Sequence, residues 1–148
     1  MCTIHAVFGR NSYRGEESIM PTYAYDHIHL RAREPQKMAD YYRDVFDAKV
    51  VVAAQPNGQP RIEMDLDGLV ILIAGSPGDN AVESPPDPYL GLDHFGLRVE
   101  NVDETVAELK RRGAEIVDEP RTIRPGVRIS FVRAPENVRI ELLQRDPA

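Results

Sequence analysis

The chain has no tryptophan, a single cysteine and only four histidines in 148 residues. Cys2 cannot pair within the chain, so a disulfide framework is excluded and a reducing, cytoplasmic setting is expected. No apolar run approaches the ~20 residues that cross a bilayer, so no helical membrane span is expected. Basic residues are the minority, 18 against 24 acidic ones, giving a net charge of −6. That balance lacks the basic footprint of a nucleic-acid binder, and no such partner is expected. The first twenty residues hold Arg10, Arg14, Glu16 and Glu17 but no hydrophobic block, so they do not read as a secretory signal. Residues 1–22 read instead as a disordered leader, and Cys2 with His5 as a floppy terminus rather than a metal site.

What is present is a repeat. Asp26-His27-Ile28-His29-Leu30-Arg31-Ala32 returns as Asp93-His94-Phe95-Gly96-Leu97-Arg98-Val99, with one histidine at the same place in each copy. Each copy alternates like a strand. His27, His29 and Arg31 share one face, as do His94, Gly96 and Arg98. A helix follows each strand. Pro35 suits a first turn, and Met38, Tyr41, Tyr42, Val45 and Phe46 form one apolar stripe. Asn101 with Glu104 reads as a cap, Val102, Val106 and Leu109 as the second stripe, and Gly113 as a left-handed stop. Strands are expected over 50–54, 61–66 and 69–74, and again over 116–117, 127–132 and 138–143, with Asn57-Gly58 as a hairpin turn. The proline- and glycine-rich stretch 75–90 reads as a linker. The 42% hydrophobic content supplies a core, and one domain of this size buries roughly 70% of its unfolded surface. The fold class is therefore α+β: two pseudo-symmetric βαβββ units, 23–74 and 91–145, in a single domain spanning 23–148. Joining them about a pseudo-twofold axis would make their first strands neighbours in one curved mixed sheet.

Three of the four histidines lie in the repeated strands. On that joined sheet His27 and His94 would face each other. Glu141, set between Ile140 and Leu142, is the third candidate, because a buried unpaired carboxylate costs several kcal/mol unless a cation holds it. The plainer alternative is an exposed edge strand with Glu141 in water. His29 is two positions from His27, about 7 Å by strand rise. It reads either as a proton shuttle or as a neutral histidine bonded to a neighbouring strand. Arg31 and Arg98, farther along the same faces, could hold an anionic substrate group or pair with protein carboxylates. Tyr41 and Tyr42 read as helix-stripe residues rather than catalysts. Glu63 alternates with Ile62 and Met64, and its face stays open.

These pieces resemble the vicinal oxygen chelate superfamily, which includes glyoxalase I, methylmalonyl-CoA epimerase, extradiol dioxygenases and fosfomycin-resistance enzymes. The resemblance covers roughly residues 23–145 and is carried by Asp26–Leu30, Tyr41–Phe46, Leu92–Leu97 and Arg139–Leu142 in that order. It implies one divalent ion, Fe(II), Mn(II), Zn(II) or Ni(II), held by His27, His94 and Glu141. It also implies open positions where a small-molecule substrate chelates through two oxygens. The position matching Glu141 in the first unit is Leu72, so the four-ligand glyoxalase I and epimerase pattern is not met. The two-histidine, one-carboxylate set is similar to that of extradiol dioxygenases and fosfomycin-modifying enzymes. The implied function is a metal-dependent lyase or isomerase, dioxygenase or transferase, with His29 and Glu141 as catalytic groups. The alternative is a metal-free module of the bleomycin-resistance type that sequesters a small molecule. A homodimer is implied as well, in some relatives with units exchanged through a linker such as 75–91.

Overall fold

The computed structural model describes residues 23–56, 58, 60–76 and 81–146. The expected leader, Cys2, His5 and Asn57 lie outside those residues. The first unit runs β1 (Ile28–Ala32), α1 (Pro35–Phe46), β2 (Lys49–Ala54), β3 (Pro60–Leu66) and β4 (Leu69–Gly75). The second repeats the order as β5 (Phe95–Arg98), α2 (Val102–Arg111), β6 (Glu115–Arg124), β7 (Val127–Ala134) and β8 (Val138–Arg145). A short 3₁₀ turn, Pro135–Asn137, separates the last two strands. The sheets are mixed. Their orders are β1-β4-β3-β2 and β5-β8-β7-β6, with β1 parallel to β4 and β5 parallel to β8.

Local chemistry sets the helix ends. Pro35 opens α1, where its missing N–H costs nothing, and Asp47 closes it in the left-handed region at φ 56°. In α2 the Asn101 side chain accepts the Glu104 amide, and Gly113 turns the chain at φ 87°. The first strands are shorter than alternation alone predicts. β1 begins at Ile28 because its parallel ladder begins there, Ile28 opposite Ile71. The carbonyl one step back, that of Val70, is taken by the Tyr25 hydroxyl at 3.1 Å. As a result His27 and His94 each sit one residue before a strand rather than inside it.

One face of each sheet packs on the helices. Met38, Tyr42, Ile62, Met64, Ile71, Ile73, Val102, Val132, Ile140 and Leu142 are all at most 2% exposed and belong to one core cluster spanning both units. A one-residue slip of β3 or β4 would expel Ile62 and Met64 or Ile71 and Ile73, at roughly 1.5–3 kcal/mol for each side chain. That cost decides which face carries Glu63, and burial of Ile140 and Leu142 decides it for Glu141. The units meet through α1 and its flanks. The Tyr41 hydroxyl donates to the Arg133 carbonyl at 3.2 Å, and Arg112 reaches the Val45 carbonyl at 3.2 Å and Asp47 at 2.6 Å. The linker is tied to the second unit by Arg133–Asp87 at 2.5 Å and by Asn137 donating to the Pro85 carbonyl at 3.3 Å.

The expected seam between the first strands is not formed. Among the described residues each sheet keeps its own ladder, and β1 and β5 are both edge strands.

Candidate functional site

In the second unit, His94, Gly96 and Arg98 lie on the face turned away from the shared core, as do Arg139, Glu141 and Leu143 of β8. Gly96 stands opposite Glu141. A Cβ at Gly96 would come within 3.5 Å of the Glu141 carboxylate, so the glycine leaves the space over that oxygen clear. Glu141 is 18% exposed, and beside it stands His94, whose Nε2 lies 3.6 Å from Oε2. That separation is long for a hydrogen bond. It is close to the ~3.0–3.5 Å spacing of two donors that share an ion through bonds of ~2.0–2.2 Å. His94 is prepared for such a role. Its Nδ1–H donates to Asp93 at 2.5 Å, since a carboxylate can only accept, and this leaves the Nε2 lone pair facing Glu141. Asp93 is held below the usual carboxylate range by that hydrogen bond and by the Arg139 charge. Phe131, opposite Glu141 on β7, meets the His94 ring edge-on at 5.1 Å. With Val127, Ile129 and Leu143 it forms a second, smaller apolar cluster under the site.

The first unit has the same backbone and different contents. Asp26 takes the Nδ1 proton of His27, but Asp26 is 90% exposed. His29 occupies the place of Gly96, opposite Leu72, which occupies the place of Glu141. Glu63, opposite Leu72 on β3, stands where the second unit has Phe131. The carboxylate has thus moved from the last strand to the third. His29 meets His27 edge-on at 6.3 Å, and burial, with Arg31 and His27 nearby, pushes its pKa down. Arg31 donates to the Gly75 carbonyl at 3.0 Å. The repeat-related Arg98 has no hydrogen bond or ion pair among the described residues.

Of the residues expected at a metal centre, the structure brings together His94 and Glu141, with Arg98 on the same face. It does not bring His27 to them: among the described residues no three His, Cys, Asp or Glu side chains are grouped to hold an ion. Within one chain the three expected ligands are thus not grouped among the described residues. The units pack through α1 and a shared core, and both histidine faces are turned away from that core. A cleft of about 790 Å³ lies elsewhere, between the end of α1, the β3–β4 turn, β5 and α2. Arg98 reaches its lining, whereas His27, His29, His94 and Glu141 do not. Sequence reasoning gave no role to four contributors. Asp26 and Asp93 were visible as the repeated Asp-His pair. Arg139 was visible as the partner two positions before Glu141 on one strand face. Glu63 had no usable signal until pairing with β4 was known.

Comparison with known proteins follows this geometry. A glyoxalase family protein from Enterococcus faecalis superimposes with TM-score 0.68 at 23% identity, over 82% of this chain and 97% of that one. The fosfomycin resistance protein FosX from Listeria monocytogenes superimposes with TM-score 0.65 at 19% identity, over 85% and 96% of the two chains. A mutant of that FosX complexed with Mn(II) and 1S,2S-dihydroxypropylphosphonic acid gives TM-score 0.62 at 20% identity, over 82% and 90%. At these identities the likeness is one of fold. By sequence, 58 residues are 36% identical to a probable chloroplastic lactoylglutathione lyase of Arabidopsis thaliana. That match spans 38% of this chain and 17% of the relative's length. The profile of the Glyoxalase/Bleomycin resistance protein/Dioxygenase superfamily matches residues 24–142, and the chain belongs to that superfamily.

Proposed function

We propose that the protein is a divalent-metal-dependent enzyme acting on a small oxygenated substrate. In this reading His94 and Glu141 of one chain and His27 of a second copy hold the ion in a homodimer. The observation that carries it is the His94–Glu141 pair, a half-buried carboxylate 3.6 Å from an imidazole nitrogen whose other nitrogen is already committed. Two donors make half of a site. Among the described residues β1 and β5 are edge strands, and a second copy would present His27 there.

An ion held there would supply a Lewis-acidic centre that polarises a substrate oxygen. The protein's own groups would do the rest. His29 is kept neutral near pH 7 by its lowered pKa, and with Glu63 it provides proton acceptors on the face that carries His27. Arg98, without a hydrogen-bond or ion-pair partner among the described residues, would draw in an anionic group of the substrate. Arg31, engaged with Gly75, would play the smaller part. Fe(II), Mn(II), Zn(II) and Ni(II) all suit this donor set, and lyase, dioxygenase and transferase chemistry are all compatible with it. The competing reading is a metal-free module that sequesters a small molecule. It is favoured by the lack of a three-donor group within one chain among the described residues.

Subunit mixing tests the proposal. His27→Ala and His94→Ala proteins each lose tight Mn(II) binding. Co-refolded at equal amounts, they recover about a quarter of the wild-type sites, the share expected when random pairing forms symmetric dimers. Failure of the wild-type protein to bind any of the four ions supports sequestration. Tight binding by wild type without recovery on mixing removes the shared site.

A further inference from the structure

Arg139 is an arginine in the middle of a strand, flanked by Val138 and Ile140, and its side chain is only 19% exposed. Its guanidinium lies across the face of Phe131, with Cζ 3.9 Å from the ring centroid. One nitrogen, Nη1, reaches Oδ1 of Asp93 at 3.4 Å, and Nη2 reaches Asp118 at 3.3 Å. Its Nε is buried with no partner among the described residues. Both contacts lead to the same imidazole. Oδ1 of Asp93 is the oxygen that accepts the Nδ1 proton of His94, and Phe131 is the ring that His94 meets edge-on at 84°.

We infer that Arg139 is a positioning residue for His94, fixing its tautomer through Asp93 and bracing the Phe131 ring on which the imidazole packs. A surface aspartate beside a histidine can turn away into water, and the imidazole can then place its proton on either nitrogen. Arg139 removes that freedom by holding the carboxylate from behind, in the manner of the groups that orient histidine ligands at metal sites. The repeat supplies a comparison. The residue matching Arg139 in the first unit is Val70, which offers no charge, and there Asp26 is 90% exposed. His27 has the same dipeptide and lacks the brace.

The inference is about one side chain. It rests on the proposed metal site only where ion affinity is concerned, so the experiment has two readouts. In metal-free protein, two-bond proton–nitrogen correlation spectra at a pH above the imidazole range report which ring nitrogen carries the proton. Wild-type His94 is expected as a single Nδ1–H tautomer. Arg139→Met is expected to give mixed tautomers at His94 and no change at His27. Arg139→Lys, which keeps the charge but not the planar face, is expected between the two and serves if the methionine variant folds poorly. Asp93→Asn should reproduce the effect, and adding Arg139→Met to it should change nothing further. The second readout is Mn(II) affinity, expected to fall about tenfold to a hundredfold in Arg139→Met. A wild-type tautomer at His94 in folded Arg139→Met and Arg139→Lys overturns the inference. So does a further change when Arg139→Met is added to Asp93→Asn. A tautomer shift with no Mn(II) binding even in wild type upholds the role of Arg139 and counts against the metal site instead.

Discussion

The two βαβββ units share a backbone and differ in the side chains on its open face. In the second, the open face is built up. Phe131 is 5% exposed beneath the site, Arg139 and Asp93 back the histidine, and Glu141 stands opposite a glycine that keeps its oxygen clear. In the first, the matching face is bare. Val51 is 62% exposed, Leu72 replaces the carboxylate, and Glu63 takes the place of the phenylalanine. Strand alternation and register preserve positions, while the side chains at those positions are free to change so long as the helix-facing half stays apolar. A repeat can therefore keep its geometry while its two open faces come to carry different side chains.

The sharpest way to break this comparison is at the Phe131/Glu63 position. Phe131→Ala is expected to cost about 3 kcal/mol of stability, since it empties a buried aromatic site. Glu63→Ala should stay within about 0.5 kcal/mol, as for a partly exposed residue on an open face. Urea unfolding of both variants reads the difference, and equal losses would mean the two faces are alike after all.

Next comes the Glu141/Leu72 position. Glu141→Gln is expected to weaken Mn(II) by more than the ~100-fold that marks loss of a group supporting a ligand, measured by calorimetry. In EDTA the same variant should melt no lower than wild type, because it removes a poorly solvated charge. Leu72→Gln should leave ion affinity unchanged.

A smaller effect probes the seam between the units. The Tyr41 hydroxyl crosses to the Arg133 carbonyl, so Tyr41→Phe should cost about 1 kcal/mol at neutral pH. Burial raises the Tyr41 pKa to about 12, above its ordinary value of 10.0. The neutral phenol is the form the fold keeps. Its contribution is intact below pH 10 and drains away as pH rises through about 12, by about 1–2 kcal/mol once its partial exposure is allowed for. Alkaline melting curves of Tyr41→Phe should be correspondingly flatter. The smallest effect is expected at Tyr42, whose buried hydroxyl has no protein partner among the described residues. Tyr42→Phe should leave the melting temperature unchanged or slightly raised, and a clear loss would show that this hydroxyl is satisfied.

Much of this was legible residue by residue. The stripe Met38, Tyr42, Val45 and the trio Val102, Val106, Leu109 are buried as their helical spacing requires. The Asn101 cap and the left-handed Gly113 are where their side-chain chemistry puts them. The pairing of His94 with Glu141 followed from two strand faces, and the Asp-His repeat already held the groups that orient both imidazoles. Arg139 was in view but read only as one of several arginines, because its contacts with Asp93 and Phe131 depend on strands far apart in sequence.

The order of helices and strands, the apolar face of each and the repeated histidine position were determined by the sequence itself. Periodicity, capping and turn chemistry act over a few neighbouring residues and need no knowledge of the rest of the chain. Only the tertiary structure decided that Glu63 shares a row with Leu72 and His29, that Arg139 backs His94, and that β1 and β5 each end a sheet among the described residues. Those outcomes depend on which strands pair and on α1 carrying the contact between units, and contacts between distant segments are settled by the packing of the whole core.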